Sequence, residues 1–230
     1  INAYTDTYNG YVQDDLILWY DGYANTSTYH DNTSETWKDL SGTGNDGTLS
    51  GGTWNRNYLS FDGVDDTVDT NLYLADALSS DRDITLSITL KINSVPFTNT
   101  TYGNTGVLFG GAYYGGTGIV WVYTPEQYLH FYGYDRLLNA GGSFRYGNYA
   151  SYLSQIMEIT YVRNVKSNAI IGYVNGYKVV SGGYSSGSYE YPDRIGNIGI
   201  NKKQIMFSNY DTSYANMDVY SAKIYNKALT

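Results

Sequence analysis

The 230-residue chain contains no cysteine, 3 prolines, 2 histidines and 6 phenylalanines. Without cysteine there is no disulfide framework, no thiolate metal ligand and no thiol nucleophile. Secretion stays open, because a chain of this length buries a full core without covalent staples. Basic residues are also scarce: 14 Lys and Arg stand against 22 Asp and Glu, for a net charge of −8. No basic cluster interrupts the sequence, so the charge that would neutralise phosphates is missing, and nucleic acid or an anionic membrane surface is not the expected partner. The longest apolar runs, such as Ile119-Val120-Trp121-Val122-Tyr123, are far too short to cross a bilayer, and no membrane insertion is expected. No signal peptide is visible and Ile1 is not a natural start, so the chain reads as a domain excised without its targeting segment.

What is abundant favours strands. There are 28 tyrosines and 26 glycines, with much Thr and Asn. Tyr and Thr suit pleated, half-wet surfaces, and Gly and Asn suit the turns between them. Tyrosine outnumbers phenylalanine 28 to 6, and a core alone has no need of so many hydroxyls. Rings with a wet edge suit an interaction surface. They also suit solvated strands, and composition does not separate the two.

Residues 1–14 are aperiodic and read as an N-terminal arm or linker, with residues 15–230 as a single domain. Leu16-Ile17-Leu18-Trp19-Tyr20 is the first strand, closed by Asp21-Gly22. A polar loop from Trp37 to Leu49 follows, then Tyr58-Leu59-Ser60-Phe61 as a strand. Asp46-Gly47 and Asp62-Gly63 are turn dipeptides in which Gly would accept positive φ. Ile84 to Ile92 sets five aliphatics at period two, a strand with one buried and one wet face. Val107-Leu108-Phe109, Ile119–Tyr123, Tyr128–Tyr132, Ile156–Val162, Arg194–Ile200 and Met217–Tyr225 are further strands. Ala169 to Val180 is a hairpin whose Asn175-Gly176 predicts a type I′ turn. Three Asn-x-Ser/Thr acceptor patterns occur, at Asn25, Asn32 and Asn99, as chance alone supplies in so Asn- and Thr-rich a chain. Regular strands and no sustained helical period predict an all-β fold, a two-sheet antiparallel sandwich whose long connections suit a jelly roll.

The order of several motifs resembles that of laminin-G-like, concanavalin A-like lectin/glucanase domains. Those motifs are Leu16-Ile17-Leu18-Trp19-Tyr20-Asp21-Gly22; Asp39-Leu40-Ser41-Gly42 leading to Leu59-Ser60-Phe61-Asp62-Gly63; Ile84 to Ile92; Tyr173-Val174-Asn175-Gly176; and Ala222-Lys223-Ile224-Tyr225-Asn226-Lys227-Ala228-Leu229. The resemblance covers roughly residues 16–229. It implies a concanavalin A-like jelly roll serving as a carbohydrate- or protein-binding module, at times with calcium, on secreted or surface proteins. The chain departs from the pattern at Tyr220-Ser221, where acidic residues often stand, and around Gln155-Ile156-Met157, where a Trp is common.

Glycoside hydrolysis on such a fold needs two carboxylates roughly 5–10 Å apart. The glutamates are Glu35, Glu126, Glu158 and Glu190; none forms a Glu-x-Asp-x-x-Glu motif, and Glu158 stands alone on its strand. The expectation is therefore no enzyme. His30 and His130 lack metal spacing. No cofactor is required by any motif. Calcium would find hard oxygen ligands at Asp39, Asn45, Asp46, Asp62, Asp65 and Asp66, residues that also serve as turn formers. For a sugar, loop aromatics would meet the apolar pyranose face: Trp54, Tyr113, Tyr114, Tyr146, Tyr149, Tyr152, Tyr210 and Tyr214. Trp19, Trp121 and Trp37 are expected to pack inside. The expected role is a glycan-binding recognition module of a secreted, cell-surface or virion-surface protein. The alternative is a protein-interaction or structural domain of an adhesin, pilus or tail fibre, with a glucanase-like glycoside hydrolase ranked third.

Overall fold

The structure, a computed structural model, describes residues 12–73, 80–81, 83–94, 105–111, 119–123, 128–135, 140–147, 149–183, 185–186, 197–201, 205–206, 210–211 and 214–229. Strands follow in the order β1 Leu16–Asp21, β2 Thr36–Trp37, β3 Gly47–Ser50, β4 Thr53–Asn55, β5 Tyr58–Asp62, β6 Thr67–Tyr73, β7 Ile84–Ser94, β8 Thr105–Gly111, β9 Ile119–Tyr123 and β10 Tyr128–Asp135. After them come β11 Ala140–Tyr146, β12 Ile156–Asn164, β13 Ala169–Val174, β14 Tyr177–Gly183, β15 Ser185–Ser186, β16 Asn197–Ile200, β17 Ile205–Met206, β18 Tyr210–Asp211 and β19 Asn216–Tyr225. Among the described residues the helical content is one 3-10 turn, Tyr149–Tyr152.

Two antiparallel sheets carry the fold. An 8-stranded sheet runs β14-β13-β12-β7-β19-β5-β4 with β1 joined to β19, and a 9-stranded sheet runs β15-β11-β10-β9-β8-β16-β6-β3-β2. The main core lies between them. It takes Ile84, Leu86, Ile88, Leu90 and Ile92 from β7, and Phe109, Phe131, Ile198 and Ile200 from the other sheet. Alternation along β7 thus directs its aliphatic face inward, as period two requires.

The opposite face of β7 is partly exposed at Thr89, Lys91 and Asn93, as alternation predicts, and is covered in its first half. Thr85 and Ser87 are buried. Thr85 Oγ1 donates to the Lys227 carbonyl at 2.7 Å and accepts from the Leu229 amide at 3.0 Å, so the chain end lies over it. Beside it a second, smaller apolar cluster forms outside the sandwich from Leu16, Trp19 and Tyr225, backed by Leu40 and Leu229. Period two tells which residues share a face, and not what later segment covers that face.

The 175–176 turn has the expected geometry, with φ of 50° at Asn175 and 76° at Gly176. Gly63 also takes positive φ, at 84°. Gly47 does not: it opens β3, and a Cβ there would lie 2.8 Å from the Tyr20 hydroxyl. Its glycine is required by close approach rather than by a turn.

Candidate functional site

The residues proposed for calcium divide into two groups with different roles. Asp39 is buried and accepts five hydrogen bonds. Oδ1 takes the amides of Trp19 and Ser41, both at 2.9 Å, and Oδ2 takes the Ser41 and Thr43 hydroxyls at 2.9 Å and the Asn45 amide at 3.0 Å. Asn45 donates to the Ile17 carbonyl at 2.8 Å, and its own carbonyl accepts from Tyr20 Oη at 2.7 Å. Asp46 pairs with Lys38 and accepts the Asp39 amide at 3.0 Å. The Asp39 and Asp46 carboxylates and the Asn45 side-chain amide tie the 37–47 loop to β1 and to itself, a role the sequence could not distinguish from ligation because the same residues serve both purposes.

The second group does converge. One carboxylate oxygen each from Asp62, Asp65 and Asp66 lies within 4.8 Å of the others in the β5–β6 turn. Asp62 Oδ1 accepts the Val64 amide at 2.7 Å, while the Asp66 carboxylate accepts the Gly52 amide on Oδ1 at 2.7 Å and the Asp62 amide on Oδ2 at 2.8 Å. These acids shape the turn, and their remaining lone pairs are of the kind a hard cation takes. Sequence reading missed Asn201 beneath them. It is buried with φ of 53°; Nδ2 donates to the carbonyls of Asp66 and Ala215, each at 3.0 Å, and Oδ1 accepts the Ala215 amide at 2.7 Å. One side chain thus joins β16, the acidic turn and the start of β19. Nothing in the local sequence marks it, because its partners are distant in the chain. Tyr214, half-buried, is next to Ala215 and so belongs to the same corner.

Tyr146, the last residue of β11, and Tyr152, the last of the 3-10 turn, are brought together. Their rings are 6.3 Å apart and Tyr152 Oη donates to Tyr146 Oη at 3.1 Å. That hydrogen bond, more than burial, raises the Tyr152 pKa. Both rings rest on the core and stay half-exposed. The turn is anchored where the Ser154 amide donates to the Ile92 carbonyl at 2.7 Å. At the same end of β7, Asn93 donates to Asn216 at 3.1 Å and Asn216 to the Asp62 carbonyl at 3.1 Å. The tyrosine pair and the acidic turn therefore share one rim. From β12 across β7 and β19 to β5 there are three strand spacings, about 14 Å.

Trp54 is corrected. It lies in β4 at 7 % exposure, its Nε1 donating to the Ser34 carbonyl at 2.7 Å and its ring packed edge-on to Trp37 at 5.0 Å. No open face remains for a sugar. Trp37 stacks on Tyr20 at 5.3 Å under its loop, as expected. Tyr149 and Tyr210 fall in the 3-10 turn and in β18. Tyr113 and Tyr114 lie outside the described residues. Glu158 Oε1 accepts the Ser87 hydroxyl at 3.0 Å. His30 ties the Gly22 carbonyl to Asn32, both at 2.9 Å, a structural role.

No protein family and no curated protein sequence matches the chain. Solved structures do. The chain resembles a Trypanosoma rangeli sialidase in complex with sialic acid, with TM-score 0.57 and 15 % identity over 94 % of this chain and 31 % of that one. It also resembles the receptor binding domain of botulinum neurotoxin D, with TM-score 0.62 and 14 % identity over 95 % of this chain and 50 % of that one. The binding domain of botulinum neurotoxin serotype D/C follows at TM-score 0.60 and 14 % identity, again over 95 % and 50 %. The chain thus spans from under a third to half the length of these proteins, and such identities show the fold alone. The expectation of no enzyme is corrected by the same comparison, since sialidase chains contain this fold. Counting carboxylates had weighed one reaction, glucan hydrolysis, on one isolated domain.

Proposed function

We propose that the domain recognises carbohydrate at the rim that carries Tyr146, Tyr152 and the turn Asp62–Asp66. On this reading it is a concanavalin A-like, laminin-G-like jelly roll. It would serve on a secreted protein or on one displayed on a cell or virion surface. The observation that carries the proposal is the tyrosine pair: two half-exposed rings, locked by a 3.1 Å hydroxyl contact, at a sheet end. Two such rings offer apolar faces to a pyranose and hydroxyls to its substituents. Solved structures of the same fold include a sialidase in complex with sialic acid and a toxin's receptor binding domain, which favours a glycan ligand.

Calcium enters as part of the proposal through Asp62, Asp65 and Asp66, where it would bridge the acidic turn to ligand hydroxyls. A glycan array with wild-type protein, followed by calorimetry on Tyr152→Ala and Tyr146→Ala, tests the reading. Loss of one stacked ring should weaken binding about fivefold, the equivalent of about 1 kcal/mol. An array without a single binder overturns it. Calcium should raise the melting temperature of wild type and not that of Asp65→Asn.

A further inference from the structure

Tyr220 stands where β19 changes neighbour. Asn216–Val219 pair with β5, and Ser221–Tyr225 pair with β1, with a register shift against β7 between Val219 and Ser221. A bulge at such a junction adds one side chain to a face and re-aims it. Asp218 and Tyr220 share the outer face of the 8-stranded sheet, while Met217, Val219 and Ala222 face the core. The junction is closed by the Gly22 amide, which donates to the Tyr220 carbonyl at 2.8 Å. A Cβ on Gly22 would lie 2.5 Å from the Asn57 carbonyl oxygen, so only glycine lets β1 approach the β4–β5 turn this closely. Tyr58, next in that turn, then meets Tyr220 with ring centroids 5.1 Å apart and planes inclined at 42°. Both rings are half-exposed.

A polar network adjoins the two rings. Lys91 Nζ lies 2.6 Å from Asp218 Oδ2, Ser60 Oγ donates to Asp218 Oδ1 at 2.7 Å, and Asn55 Nδ2 donates to Ser60 Oγ at 3.1 Å. Asp218 has both oxygens engaged and is buried, whereas the Lys91 side chain is 28 % exposed with donors to spare. The charges of Lys91 and Asp218 cancel at this spot, and the chain as a whole carries −8. A lysine already neutralised by a carboxylate has little to offer a second anion, and it still donates to hydroxyls.

We infer that this outer face is a saccharide subsite for an uncharged pyranose. Tyr58 and Tyr220 meet the apolar ring face, and Lys91 donates to hydroxyls, while Asn55, whose two amide hydrogens go to the Thr53 carbonyl at 3.2 Å and to Ser60 Oγ at 3.1 Å, holds the network in place. The inference rests on the carbohydrate reading above and places a subsite apart from the rim tyrosines. It also chooses neutral over acidic sugars.

The test is calorimetry against a panel of neutral hexasaccharides of glucose, xylose, mannose and galactose, with sialyllactose as the anionic probe. Wild type, Tyr220→Ala, Lys91→Met and Tyr152→Ala are compared. A neutral member should bind more tightly than sialyllactose, and Tyr220→Ala should weaken it about fivefold or more. Neutral binding unchanged in Tyr220→Ala and lost in Tyr152→Ala overturns the subsite and leaves the carbohydrate reading standing. Preference for sialyllactose overturns the choice of neutral sugar. Failure of every probe overturns subsite and reading together. Should Tyr220→Ala not fold, nitration of native protein by tetranitromethane decides. A bound neutral hexasaccharide should shield Tyr58 and Tyr220, and equal nitration with and without it refutes the subsite.

Discussion

Replacing Lys223 by Met should remove a rise in stability with pH in a narrow alkaline window. Lys223 is 3 % exposed on β19, opposite Trp19 of β1 and Ser87 of β7. Burial lowers its pKa from 10.5 to about 8, against the pull of Glu158 and Asp21, which raise it. A lysine with a depressed folded pKa burdens the folded state while both states are protonated, below about pH 8. As pH climbs toward 10.5 the folded amine is neutral while the unfolded one still holds its proton, so stability rises. From about pH 7 to about pH 9.5 wild type should gain about 2 kcal/mol relative to Lys223→Met, at about 1.36 kcal/mol per pH unit of separation. Methionine keeps the apolar stem and carries no charge, so the buried tyrosines, Tyr20 among them, titrate alike in both proteins and cancel. Urea unfolding at paired pH values measures the difference. In thermal melts it corresponds to about 4–8 °C for a chain of this size. Parallel stability curves for the two proteins across the window would refute the claim that burial governs this amine.

Three further outcomes follow from the geometry. Gly22→Ala should lower stability by about 1–3 kcal/mol, because its Cβ has no room 2.5 Å from the Asn57 carbonyl oxygen; an unchanged melting temperature would show that the β1–β5 junction is looser than described. Gly176→Val should cost about 1–3 kcal/mol in a urea titration through strain at φ of 76° alone, as nothing lies within 4 Å of the site. Asp39→Asn should cost about 2 kcal/mol or more, since an amide nitrogen would face donors that now converge on a carboxylate, and Trp fluorescence should report the loosened contact at Trp19.

Local pattern was enough for much of the fold. Alternation at Ile84–Ile92 and the dipeptide Asn175-Gly176 each express a physical preference of adjacent residues, pleat in one case and positive φ in the other. The all-β class and the inward face of β7 followed from such preferences, and the structure agrees. The candidate site was legible only as a list of residue types. Trp54 and Tyr152 look alike in sequence as aromatics beside turns, yet one is sealed under His30 and Trp37 and the other stands on a rim. Asp39 and Asp62 both precede glycine-containing turns, yet the first is consumed by loop amides while the second joins Asp65 and Asp66.

Those distinctions were decided by residues far away in the chain. Asn201 gathers the acidic turn from 135 positions off, and Tyr58 meets Tyr220 across a strand junction that neither segment announces. The cover over Thr85 comes from Leu229, 144 positions away. Strand formation is written in neighbours, because side-chain alternation and turn dihedrals act within a few residues. Exposure, pairing of charges and the meeting of rings are not, because they depend on which strands lie side by side, and that is settled only when the two sheets close over one core.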